Sequence, residues 1–241
     1  MQEYLGQWYA PLVCGRYAIA KPNDVLDELL GEDNSQSLAP RFNVAPNQMA
    51  PVVVAGEWGT RRLVSMRWGL VPHWVGEERS NHVLINARIE TVAQKSVFRD
   101  SFRRRRCLVA ADGFYEWQGS SRDRQPFLVR LNGGVPFGFA GLWDRWTDSM
   151  GQVLETFTIL TTAANTLVEP IHQRMPVILD REGRLEWLSA KTEVGRPSSI
   201  SRQVAASSME AVPVSRHVND PSHDSPQCLS PVDLLKERAL F

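Results

Sequence analysis

Two stretches of this chain, APVVVAGEWGTRRLVSMRWGL from residue 50 and PFLVRLNGGVPFGFAGLW from residue 126, share one plan. Each sets apolar, strand-forming runs on both sides of a glycine-containing turn, which predicts two β-hairpins. CLVAADGF, TFTILTTAA and MPVILD read as further buried strands. Helical spacing is scarcer. Val25, Leu26, Leu29 and Leu30 recur at helical intervals before Gly31, and Phe98 and Phe102 stand one turn apart within a helix expected from Thr91 to Phe102. From about Lys191 to Pro231 the chain is rich in Ser, Pro and Val, with little periodicity, and is expected to wrap the core as coil and short strand. Many short strands and few helices, without βαβ alternation, define an α+β chain.

At 241 residues with 43% apolar content, one sizeable core in a single domain is expected. Twenty-seven basic side chains balance twenty-seven acidic ones, so no global field attracts a polyanion and any nucleic-acid site must be a local patch. The run Arg103 to Arg106, read as strand, would turn at most two of its side chains one way; it is either a solvated face or a phosphate contact. Cys14, Cys107 and Cys228 are odd in number, widely spaced and without a CxxC pair, which argues against a disulfide framework or a structural zinc. A reduced, cytoplasmic setting is expected. Residues 1–13 fit neither a secretory signal nor a membrane span, and Val13 does not suit a lipoprotein box ending at Cys14.

Cys14 stands in CGRY, where Gly15 permits close approach of a ligand and Arg16 can hold a thiolate or a phosphate. By itself it is equally a small buried apolar residue. Glu116 lies among Phe114, Tyr115 and Trp117, company that disfavours a charged carboxylate and suits proton transfer, unless the side chain reaches solvent at the strand end. His172 precedes an apolar strand beside Arg174 and is either a hydrogen-bonded structural residue or an acid/base. Asn86, Arg88 and Glu90 share one face if NARIE is extended. Asn43, Pro46, Trp68, Pro72 and Trp74 are rigid or flat residues that can stack on bases or serve core and turns.

CGRY, RFNVAPNQ, MRWGLVP, INARIE, ADGFYEW, QPFLV, FAGLWD, FTILTTAAN, IHQRMPVIL and PVSRHVN occur in this order from Cys14 to about Asn219. Together they resemble the SOS response-associated peptidase (SRAP) family of abasic-site DNA–protein crosslinking proteins. The resemblance implies a twisted, mostly antiparallel sheet system approaching a barrel, with peripheral helices, and a basic groove for single-stranded DNA. It implies that Cys14 is the nucleophile, Asn86 the ligand-positioning residue, Glu116 the acid/base carboxyl and His172 the acid/base histidine. Arg16, Asn43, Pro46, Trp68, Pro72, Trp74, Arg88 and Arg174 fall in motifs that contact DNA or wedge against its bases. The family usually reads IHDRMP; here Gln173 replaces the aspartate.

The chemistry so implied demands a terminal cysteine. An opened abasic sugar presents an aldehyde; an α-amine condenses with it to an imine, and the thiol of the same residue closes a thiazolidine ring. With an α-amino pKa of about 8, a usable free-base fraction exists near neutrality, whereas a backbone amide has no such nucleophilicity. Residues 1–13 are therefore expected to be absent or removed in the active protein. Val13 serves as initiator and is then trimmed, or the chain cleaves itself; the one-residue offset favours the first route.

The expected partner is single-stranded DNA with abasic sites, including junctions with duplex, bound by a monomer associated with the bacterial nucleoid, without cofactor, metal or membrane. Lyase-like imine chemistry and self-cleavage are the expected activities. Rivals are an N-terminal-cysteine amidohydrolase, for which LNGG resembles an oxyanion loop, and a cysteine peptidase built on Cys14, His172 and Asn86. From another class comes a module that shields single strands without reacting.

Overall fold

The computed structural model describes residues 14–31, 37–77, 83–119, 124–189 and 203–234. The N-terminal extension, residues 1–13, lies outside the described residues. The chain runs β1 (Arg16–Ile19), α1 (Pro22–Leu30), β2 (Arg41–Val44), β3 (Met49–Ala55), β4 (Arg61–Trp68), β5 (Asn86–Arg88) and α2 (Ser96–Arg104). It continues through β6 (Arg106–Ala111), β7 (Gly113–Gln118), β8 (Gln125–Leu131), β9 (Phe137–Thr147), β10 (Val153–Ala163), β11 (Arg174–Pro176), α3 (Arg181–Leu188) and β12 (Met209–Pro213).

Of the two expected hairpins, one is present. β3 pairs antiparallel with β4 from Met49 opposite Arg67 to Ala55 opposite Arg61. The other is not: β8 pairs with β7 and β12 while β9 pairs with β6 and β10, so the turn at Asn132 to Gly134, with Gly133 at φ 73° in the left-handed region that glycine occupies without penalty, carries the chain from one sheet to the other.

One sheet has the order β12-β8-β7-β1-β2. The other runs β11-β10-β4-β3-β6-β9, and β5 also pairs with β10. Its curl is strong, since β9 bonds β6 on one side and β10 on the other. Among the described residues, only the β10 pairings with β4 and β5 are parallel. This is the expected twisted antiparallel system; β11 and the five-stranded sheet lie outside the curl.

Tyr17 from the first sheet meets Trp68 and Phe139 of the second at ring separations of 5.2 and 5.7 Å, and Phe157 stacks on Trp68. These buried rings join the sheets beneath the start of β1. Helix α1 buries Val25, Leu26 and Leu29, as their spacing requires.

Three further expectations need correction. Helix α2 begins at Ser96, because residues 91–94 form turns in which Val92 enters the core. The arginine run is not a strand: Arg103 and Arg104 end α2 with exposed side chains, and only Arg106 opens β6. MPVILD supplies just the end of β11 and single bridges at Ile178 and Leu179, after which α3 follows. Asp180 caps that helix by accepting from the Gly183 N–H at 2.7 Å.

Candidate active site

Antiparallel pairing of β1 with β7 places Arg16 opposite Tyr115, so Cys14, just ahead of β1, reaches Glu116. The Cys14 backbone N–H donates to Glu116 Oε1 at 2.7 Å. Both residues are buried. Desolvation pushes the Glu116 carboxyl up to about 8, an effect that the Cys14 N–H opposes by stabilising the anion. Burial, reinforced by the Glu116 charge, raises the Cys14 thiol well above its ordinary range. The resting site therefore holds a protonated thiol beside a carboxyl that titrates near neutrality. Cys14 also adopts φ 42°, a left-handed conformation costing a non-glycine residue roughly 1 kcal/mol.

Asn86 opens β5 in parallel register with Ile159 of β10. Along β5 the pattern is half-buried Asn86, buried Ala87 and exposed Arg88, followed by buried Ile89 and exposed Glu90, so the three polar residues do share a face. Trp68 donates its indole N–H to the Ile85 carbonyl at 2.9 Å, fixing the backbone just before Asn86. This fully buried ring has no surface for stacking on a base, and it acts here from within the core.

His172 ends a turn closed by its N–H to the Val168 carbonyl. Its Nδ1 lies 3.1 Å from both the backbone nitrogen and the carbonyl oxygen of Arg174, contacts that hold the ring in place. Gln118, beyond Glu116 on β7, donates to the Pro170 carbonyl and ties this turn to the strand carrying the carboxyl. Gln173 is exposed. The Arg174 guanidinium is occupied by Glu90, with bonds of 2.6 and 2.9 Å to its two carboxylate oxygens, and these bonds hold the Glu90 carboxyl below its usual range.

Arg16 is half-buried over the Trp117 ring and donates to Asn43 Oδ1, the Val218 carbonyl and the Asn219 carbonyl. Asn43 is fully buried and its amide nitrogen reaches the carbonyls of Val218, Asp220 and His223. These two residues bolt residues 218–223 beside the site. Pro46 is half-buried in the turn between β2 and β3, Pro72 is buried, and Trp74 is 53% exposed.

Sequence reasoning missed the frame of the loop that carries Trp74. Gly69 starts it at φ 127°, where an added Cβ would stand 1.9 Å from a Val83 methyl. Thr156 Oγ1 accepts from the Val71 N–H, and Trp146 donates to the Val75 carbonyl. Buried Asp144 accepts from the His73 backbone N–H at 3.1 Å and pairs with Arg105 at 3.0 Å. A carboxylate in the apolar strand FGFAGLWD was the available signal. Among the described residues, no group of three or more His, Cys, Asp or Glu is placed to hold a metal, and no helix is long and apolar enough to cross a membrane.

Such a fold and site define a class: an α+β protein with a cysteine at the head of a strand, backed by a buried carboxyl. The family model described as SOS response associated peptidase (SRAP) matches residues 13–221. This chain belongs to that family. It is 37% identical to abasic site processing protein YoqW of Bacillus subtilis over 90% of this chain and 99% of that protein. It is 32% identical to abasic site processing protein HMCES of Gallus gallus over 81% and 67%, respectively. Among solved structures, a protein from Bacteroides thetaiotaomicron matches with a TM-score of 0.71 at 26% identity, covering 79% of this chain and 85% of that one.

Proposed function

We propose that this protein captures abasic sites in single-stranded DNA by forming a thiazolidine with Cys14 as its amino-terminal residue. The observation that carries this reading is the 2.7 Å bond between the Cys14 nitrogen and Glu116. It puts a titrating carboxyl on the one nitrogen that must lose a proton, attack an aldehyde and later accept a proton back. The names of the relatives, abasic site processing proteins, support the same substrate.

Glu116 in its acid form protonates the ring oxygen as the sugar opens. Its carboxylate then takes a proton from the Cys14 ammonium, freeing the amine. Amine and aldehyde condense to an imine with loss of water, a step for which His172 and Asn86 orient the sugar oxygen. The Cys14 thiol adds to the imine carbon while its proton passes to nitrogen, which closes the five-membered ring. Pro46, Trp74 and Arg88 form the face toward the strand, a flat ring and a cation suited to bases and phosphates. Arg16, Asn43, Trp68, Pro72 and Arg174 support it from behind. A cysteine peptidase needs a depressed thiol pKa, and the raised value at Cys14 disfavours that rival.

A chain that begins at Cys14 supplies the required amine and is also freed of the left-handed φ, since a first residue has no preceding carbonyl. The family match opens one residue earlier, at Val13. Native protein is expected to have the mass of residues 14–241 and to give a denaturant-stable band shift on DNA with one abasic site. Retention of residues 1–13 together with full crosslinking would overturn the terminal-amine mechanism.

A further inference from the structure

We propose that Arg67 is a phosphate-binding residue, taking a backbone phosphate of the nucleic-acid strand between the Pro46 turn and the Trp74 loop. Its place is fixed by register. Met66 and Trp68 face the core, so Arg67 points to the opposite face of β4. There it stands beside Met49 of β3 on one side and Thr156 of β10 on the other.

Each neighbour leads to a surface element. Beyond Met49, the turn holding Pro46 is clamped to Trp68 by two backbone bonds of 2.9 Å, Asn47 N–H to the Trp68 carbonyl and Trp68 N–H to the Gln48 carbonyl. Thr156 in turn anchors the Trp74 loop through the Val71 N–H. The two large apolar side chains nearest these elements, Met49 and Trp74, are 50% and 53% exposed.

Between them Arg67 is half-buried, and its Nε and Nη2 are closed off from solvent without a hydrogen-bond partner. Arginine carries five N–H donors, and buried donors are rarely left bare. Neither Glu116 nor any other carboxylate offsets the burial that lowers its pKa. Arg16 and Arg174 are engaged instead: Arg16 is bonded to Asn43 and to main-chain carbonyls, and Arg174 turns both terminal nitrogens to Glu90, leaving only its Nε bare. No bond holds the Arg67 rotamer, so turning its planar fork to a phosphate breaks nothing in the protein, and the fork matches two phosphate oxygens.

This assignment rests on the DNA reading of the site, and the test separates the two. Affinity for an undamaged single-stranded oligonucleotide is measured across a salt series for the parent, Arg67→Met and Arg67→Lys, with inorganic phosphate as competitor. Losing one phosphate contact should flatten the slope of log affinity against log salt by about 0.7 and weaken binding about fivefold near 0.1 M salt. Arg67→Lys should restore most of the slope, and the melting temperature of Arg67→Met should stay near the parent's because no bond is lost. A parent that crosslinks abasic DNA while Arg67→Met keeps the parental slope overturns the Arg67 assignment alone. A parent that binds no DNA overturns both readings. Competition by inorganic phosphate that is equal in parent and Arg67→Met also counts against Arg67.

Discussion

Glu116 sets the pH behaviour of the site. Its carboxyl titrates at about 8 in the fold, against an ordinary 4.5, so between these values the folded protein holds a proton that the unfolded chain releases. The stability this provides is present below pH 4.5 and is lost as pH rises through about 8. Glu116→Gln, which keeps an oxygen for the Cys14 N–H, should therefore melt higher than the parent at pH 8 and close to it at pH 4.5. The gain is expected at roughly 2–4 °C per kcal/mol. The same variant should slow crosslinking by about 10²–10⁴-fold in single-turnover gels. Cys14→Ser retains the amine but loses the ring-closing sulfur. Its adduct should fall apart on a denaturing gel and survive only after borohydride reduction of the imine. The pairing behind these expectations could not be read from spacing, because Cys14 and Glu116 lie 102 positions apart. Only the apolar company of Glu116 hinted at burial. Asn43 and Trp68 drew attention as polar and flat residues near prolines, and nothing local showed that strands and the C-terminal segment would enclose them.

Among the elements, the loop from Gly69 to Glu77 matters most to the proposed DNA face, because it lifts Trp74 into solvent while side chains of β9 and β10 grip it from below. Asp144→Asn weakens the buried pair with Arg105 and the bonds to His73. It should lower stability by about 3 kcal/mol and speed amide exchange at Val71 and His73. Trp146→Phe removes only the bond to the Val75 carbonyl and should cost about 1 kcal/mol. Unchanged exchange in both variants would show that the loop holds itself. Helix α1 was legible because its apolar residues keep helical intervals. Helix α3 was not, since REGRLEWL is mostly polar and becomes a packed element only where Trp187 reaches the Cys107 carbonyl and Arg184 meets Glu28. The β3–β4 hairpin was readable as strand-forming runs around glycine, but β8 and β9 carry the same signature and part into different sheets, because their partners are set by pairings between distant segments.

Across the whole molecule, the first strand and the last described segment meet. Arg16 bonds the Val218 carbonyl, 202 positions away, and Asn43 gathers three carbonyls of residues 218–223. β12 also forms the edge of the sheet that carries Cys14 and Glu116. A chain truncated before Met209 should lose its cooperative melting transition and its crosslinking together, as checked by calorimetry and the abasic-DNA gel. A truncated chain that still melts sharply would show that the C-terminal segment is dispensable. During synthesis the ribosome delivers Cys14 early and its bracing carbonyls some two hundred codons later, a gap of about 10–40 s at ordinary elongation rates. A half-made polypeptide thus carries the Cys14 sulfur without the finished pocket, and the proposed trap would be armed only when translation is nearly over.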